Sequence, residues 1–151
     1  MLKLKPVLAA LLLLGTAAPV AAQPAPPAAA PDGAQLTLAF SGIERPTGAI
    51  MIALFDSEAG WTGNRPVRTA MVPVSGASAE AVFAGLPPGR YGAKVFHDVN
   101  GDQRLNSNPF GIPIEPFAFS NNAHGSMGPA RWADAAFDLA AGASRHAITV
   151  Q

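Results

Sequence analysis

Several oxygen-bearing residues stand at spacings that suit a hard cation. Asp98, Asn100 and Asp102 follow one another at i, i+2 and i+4, the spacing that opens many calcium loops. Arg104 then falls where such a loop offers a backbone carbonyl, and Asn106 where it offers an amide oxygen. Calcium takes roughly six to eight oxygens, and carboxylates supply the negative charge that gives useful affinity. Glu115 brings a third carboxylate if the intervening chain folds back. The helix-loop-helix template is not met: Gln103 replaces its turn glycine, Pro109 replaces its bidentate glutamate, and a strand precedes the loop. The same residues suit a purely structural turn. Asn100-Gly101 is a favoured type I′ pair, and Asp98 and Asp102 are placed to accept nearby backbone N–H groups. The spacing leaves both alternatives open.

Acid–base chemistry is the next candidate. His97 ends a strand beside Asp98, and with Glu115 these make a conceivable hydrolase set, provided the two carboxyl groups come within roughly 5–10 Å of each other. Alternation places His97 on the same face as Tyr91, Ala93 and Val95, which predicts an inward ring hydrogen-bonded within the following loop. No second histidine lies at a ligand spacing; His124 sits in a glycine- and asparagine-rich stretch, and His146 reads as an exposed strand residue. No nucleophile elbow, phosphate loop, dinucleotide fingerprint or His-Glu-x-x-His occurs. Cysteine is absent, which excludes disulfides, thiolate zinc sites and cysteine nucleophiles. The expectation is a non-catalytic chain.

Recognition chemistry is the third candidate. Pro109, Pro113 and Pro116 alternate with Phe110, Ile112, Phe117 and Phe119. These apolar residues either plug the open side of the domain or form a ledge on which a peptide, protein or glycan stacks. Trp61, flanked by Gly60 and Gly63 in a polar turn, is a second contact candidate, with packing under its own loop as the alternative. Ser120-Asn121-Asn122 resembles a turn that caps the same segment, and Asn121 joins the candidate binding residues.

The elements that position these groups follow from alternation and punctuation. Leu36, Leu38 and Phe40 alternate with Gln35, Thr37 and Ala39, the signature of a half-buried strand. Ile50 to Phe55 is apolar at nearly every position and reads as central to a sheet. Val67 to Val74, interrupted by Pro73, suits an edge. Glu80 to Ala84, Arg90 to Asp98, Ala133 to Leu139 and His146 to Val150 complete about seven strands. Within Trp132 to Ala141 a helix is the alternative, since alanine favours it. The pattern is that of an all-β, Ig-like or transthyretin-like antiparallel sandwich over residues 34–151. Val99 to Arg131 is one long loop, too apolar to be disordered, and is expected to fold down as an ordered flap.

Residues 1–22 have the build of a secretory signal: Lys3 and Lys5, an apolar core from Val7 to Leu14, and Val20-Ala21-Ala22 before a cleavage point at Gln23. The core is shorter than the ~20 residues of a spanning helix, and no later stretch is long enough. Residues 23–33 then form a proline- and alanine-rich linker. Without Lys3 and Lys5 the chain holds eight basic against ten acidic residues. That balance, with no basic run, argues against nucleic acid or an anionic membrane as partner. The expectation is an exported, periplasmic or extracellular monomer.

The run Phe83-Ala84-Gly85-Leu86-Pro87-Pro88-Gly89-Arg90-Tyr91 resembles the signature before a central strand in transthyretin-like and collagen-adhesin B-type modules. His97-Asp98-Val99-Asn100-Gly101-Asp102, Phe110-Gly111-Ile112-Pro113-Ile114-Glu115, Phe119-Ser120-Asn121-Asn122, Gly128-Pro129 and Trp132 with Asp134 resemble the exported bacterial family known as domain of unknown function 2141. That resemblance covers Leu36 to Val150. It implies a secreted β-sandwich without an established activity and brings no catalytic residues. The family's loop often carries an acidic residue where this chain has Asn106, a departure that weakens a metal site there. The combined expectation is a binding or envelope-associated accessory module with a calcium-ordered loop, set against a periplasmic hydrolase and a purely structural envelope protein.

Overall fold

A computed structural model describes residues 33–151; the expected signal segment and most of the linker lie outside the described residues. Two sheets pack face to face. Strands β1 (Ala34–Ser41), β4 (Ala79–Leu86) and β8 (Ala143–Thr149) form one sheet in the order β4-β1-β8. The other runs β3-β2-β5-β6, from β2 (Ala49–Phe55), β3 (Arg68–Pro73), β5 (Gly89–Asp98) and β6 (Phe117–Phe119), with β7 (Phe137–Leu139) also on β5. Two short helices, α1 (Glu58–Thr62) and α2 (Trp132–Ala135), lie between strands. Among the described residues no helix is long and apolar enough to cross a membrane.

Period-2 alternation drives the arrangement. Leu36, Leu38 and Phe40 of β1 turn inward against Ile50, Ile52 and Leu54 of β2 and against Tyr91, Ala93 and Val95 of β5; all are buried. Each buried aliphatic or aromatic side chain contributes about 1.5–3 kcal/mol relative to exposure, and this shared layer is what joins the sheets. Tyr91 also donates its hydroxyl to the carbonyl of Pro87, 2.8 Å away, which fixes the turn that launches β5.

Two details depart from the expected antiparallel seven strands. There are eight, and β8 lies parallel to β1, with Leu38 opposite His146 and Phe40 opposite Ile148. The chain leaves one sheet at Leu139 and enters the other at Ala143, beside the start of β1, where Gln35 N–H donates to Gly142 O at 2.8 Å. It therefore runs in the same direction as β1.

The strand expected over Ala133 to Leu139 divides into α2 and β7. β6 and β7 occupy successive stretches of one edge of β5: Phe117–Phe119 pairs with Phe96–Lys94, and Phe137–Leu139 with Tyr91–Gly89. Residues 120–136 loop out between these half-strands and lay Trp132 on the outer face of the sheet. There Trp132 joins Phe55, Trp61 and Phe119 in a second apolar cluster, with Trp61 and Trp132 ring centroids 5.8 Å apart.

Candidate functional site

The long segment after β5 is an ordered flap, held by hydrogen bonds and not by apolar burial. Asp98 lies at its root, 1% exposed. One of its oxygens accepts the Gly101 N–H at 2.7 Å and the other the Gln103 N–H at 2.8 Å. Glu115 folds back as expected, yet it grips backbone: its oxygens accept the Val99 and Asn106 N–H groups, each at 3.0 Å. Between these anchors Ser107 bridges Pro113, and Asn108 Oδ1 accepts the Phe110 and Ile112 N–H groups at 2.9 and 3.0 Å. The result is a projecting finger with Phe110 at its tip.

The expected type I′ turn at Asn100-Gly101 does not form. Gly101 has φ 79° and Gln103 φ 62°, but Asn100 is not in the left-handed region, and no strand follows until Phe117. In its place Asn100, Asp102 and Asn106 side chains meet. Asn106 Nδ2 donates to Asp102 at 2.9 Å, and Asn100 Nδ2 donates to Asn106 Oδ1 at 2.9 Å and to Asp102 at 3.3 Å. These bonds pull the Asp102 carboxyl below its ordinary range, the Asn106 bond most. Arg104 is exposed, and its N–H donates to Asp102 Oδ1 at 2.9 Å. As a cation site the donor set is thin: among the described residues no three of His, Asp and Glu gather as metal ligands.

His97 and Asp98 point to opposite faces of β5, as adjacent strand residues must. The His97 ring is buried with Nε2 2.7 Å from the Thr47 carbonyl, so its side-chain partner lies before β2 and not in the flap. His97 and Glu115 both line a small cavity of about 150 Å³, and Asp98 does not. The three do not converge on one space. His146, expected to be exposed, is half-buried. It stacks on Phe137 with centroids 4.1 Å apart, accepts the Asn121 N–H at 3.0 Å, and burial lowers its pKa.

Two recognition candidates belong to the frame. Trp61 is 4% exposed, packs edge-on to Phe55 at 5.3 Å and donates Nε1–H to Ala130 O at 2.9 Å; this corrects the exposed-contact expectation. Asn121 (φ 58°) is tied by Nδ2 to the Ala136 carbonyl at 2.9 Å. Its neighbour Ser120 is buried, accepting the Ala93 N–H at 2.8 Å and donating to Ala135 O at 2.6 Å. Phe119 is buried as well. Of the four residues offered either as a plug or as a ledge, Phe119 is covered, whereas Phe110 is 88% exposed, Ile112 60% and Phe117 38%.

What these residues border is a groove that the sequence reading missed. β2 is apolar on both faces, so Met51 and Ala53 look outward. Met51 lies opposite Met71 on β3 and Phe96 on β5, and Phe96 lies opposite Phe117 on β6. This Met71-Met51-Phe96-Phe117 row crosses four strands on the outer face. It lines a cavity of about 610 Å³ that Leu105 of the flap borders. A neighbouring cavity of about 570 Å³ beneath Phe110 and Met127 shares Leu105, Phe117, Phe119 and Pro129 with it. The next row is Thr69, Ala53, Lys94 and Phe119. Lys94 Nζ donates to Trp61 O at 2.8 Å and to Asn64 Oδ1 at 3.3 Å, and sits 4.8 Å from the Phe55 ring centroid. Burial holds its pKa below the usual lysine range. The signals in the sequence were the unbroken apolar run of β2 and the single lysine after the N-terminal pair.

The chain belongs to the family described as an uncharacterized protein conserved in bacteria (DUF2141), which matches residues 38–147. The matched span holds β2 to β7, the flap and the groove. No curated protein matches the chain, and no solved structure does. The transthyretin-like resemblance therefore rests on the Phe83–Tyr91 run alone.

Proposed function

We propose that this family member is an exported, non-catalytic binding module whose recognition surface is the groove between the outer face of the β3-β2-β5-β6 sheet and the flap. The observation that carries the reading is the open Met71-Met51-Phe96-Phe117 row. A contiguous concave apolar surface on a small domain is characteristic of a ligand or partner site. Its lining favours an apolar chain over a glycan, whose hydroxyls need many polar partners. The scattered placement of His97, Asp98 and Glu115 favours binding over hydrolysis.

A neutral solvatochromic dye such as Nile red tests this. The expected result is blue-shifted emission with the full chain, reduced by Met51→Glu or Met71→Glu while the circular dichroism spectrum is kept. Unshifted emission would remove the groove as a site. Export rests on Lys3, Lys5 and the apolar run behind them; mass spectrometry of protein recovered outside the cytoplasm is expected to show Gln23 as the first residue. A purely structural envelope protein, expected to meet its partner at Leu36–Phe40, would instead cross-link through the outer strands β4 and β8, because β1 lies between them with Leu36, Leu38 and Phe40 buried.

A second reading, a calcium-ordered loop, has one favouring observation: Asn100, Asp102 and Asn106 already meet at one point. Turning the two amides would aim their oxygens there, with Asp98 and the Arg104 carbonyl nearby in sequence. Binding to the folded state alone raises stability by RT ln(1 + [L]/Kd). A melting temperature identical in millimolar calcium and in chelator ends this reading.

A further inference from the structure

The polar end of the groove names the chemistry of its occupant. Lys94 stands one row above Met51 and Phe96 on the outer face, and its ammonium has two acceptors, the Trp61 carbonyl and Asn64 Oδ1. An ammonium carries three donors, so one remains. The ion pairs among the described residues are Arg90–Asp138, Arg131–Asp134 and Arg145–Glu80, and none of these carboxylates serves Lys94. The cation is thus set against aromatic faces, partly withdrawn from water and without a counter-charge, at the head of an apolar trough. Thr69 adds a hydroxyl to the same end of the cavity. Desolvation makes a cation seek an anionic partner more strongly than it does in bulk water.

We propose that the groove takes a long-chain carboxylate, a free fatty acid, with its head group on Lys94 Nζ and its chain laid across Met51, Phe96 and Phe117 toward Leu105. The inference rests on the groove being the binding face and adds the class of ligand. The methionines suit such a chain, since their unbranched thioethers adapt to a flexible methylene run. The two cavities share a wall at Phe117 and Leu105, so a longer chain continues beneath the flap. A carboxylate accepts a charge-assisted hydrogen bond from Lys94, and an alcohol of equal length does not gain that charge term.

The test compares dodecanoate with dodecanol, below their aggregation limits, by displacement of Nile red from the full chain and by calorimetry. Dodecanoate is expected to bind about tenfold more tightly than dodecanol, with affinity rising about three- to fourfold per added methylene. Lys94→Met is expected to erase the difference and Lys94→Arg to keep it; the ligand comparison on the unaltered chain needs neither variant to fold. Equal affinities for acid and alcohol overturn the head-group inference and leave the groove reading standing. Dye binding with no displacement by either overturns the ligand class alone. Failure of dye, acid and alcohol together overturns both.

Discussion

The hydroxyl of Ser120 donates to the carbonyl oxygen of Ala135 across 2.6 Å in the interior of the domain. Ser120 Oγ in turn accepts the Ala93 N–H at 2.8 Å, so one side chain satisfies both β5 and the end of α2. Ser120→Ala leaves a buried donor and a buried acceptor without partners, at a cost of about 1–3 kcal/mol. The expected outcome is a melting temperature several degrees lower with unchanged far-ultraviolet circular dichroism. An unaltered midpoint would show that the residues around the turn relax to reclaim both bonds.

Gly92 faces the tryptophan pair. A Cβ built there would lie 2.8 Å from Trp132 and 3.1 Å from Trp61, closer than packed carbons approach. Since both rings are buried, Gly92→Ala forces them apart and is expected to cost about 1–3 kcal/mol. Chemical denaturation followed by tryptophan fluorescence reads both the loss and the displaced rings. A stability within error of the parent chain would mean that the cluster is loosely packed.

Asp98 and Glu115 hold the flap through backbone donors. Asp98→Asn and Glu115→Gln each turn one accepting oxygen into an amide that cannot accept. Hydrogen exchange is expected to accelerate at Gly101 or Gln103 in the first variant, and at Val99 or Asn106 in the second. Amides of β1 and β2 should keep their protection, because local opening needs no global unfolding. Uniform acceleration would show instead that flap and sandwich open as one unit.

Phe110 separates the fold from the proposed binding. With its ring 88% exposed, Phe110→Ser is expected to change stability by no more than about 0.5 kcal/mol while weakening ligand retention beneath the finger. Dye titration beside thermal melting checks both halves. A large loss of stability would contradict the finger's hydrogen-bonded design.

His146 sets a pH dependence. Burial lowers its pKa, so the unfolded chain binds its proton more readily than the folded one. Stability from this group is present above the ordinary histidine range and is lost as pH falls through it. Protonation also removes the lone pair that accepts the Asn121 N–H. Melting temperatures between about pH 7 and about pH 5 should fall more steeply for the parent chain than for His146→Phe, which keeps the stack on Phe137 without a titrating group. Parallel curves would exclude the mechanism.

The sandwich was legible because its central strands advertise themselves. Leu36, Leu38 and Phe40 alternate cleanly, and Pro73 marks β3 as an edge. β6 was not legible: it is three residues long, follows Pro116, and is separated from its continuation β7 by residues 120–136. Trp61 looked exposed because its own turn is polar; its cover comes from Trp132, far along the chain. The Asp98 anchor was half legible, since the spacing marks an oxygen-rich turn equally for a cation and for backbone amides. The groove hid in plain view, because a strand apolar at every position announces burial on both sides, whereas the outer side of β2 is shielded only in part.

Main-chain amides are indifferent to the side chains they carry, and the Asp98 and Glu115 carboxylates fasten the finger through such amides alone. Phe110, Ile112 and Ile114 are thereby relieved of any duty to the architecture. The tip can be rewritten while the frame beneath it is left alone, which, if the groove binds as proposed, would make this segment an exchangeable cassette for specificity.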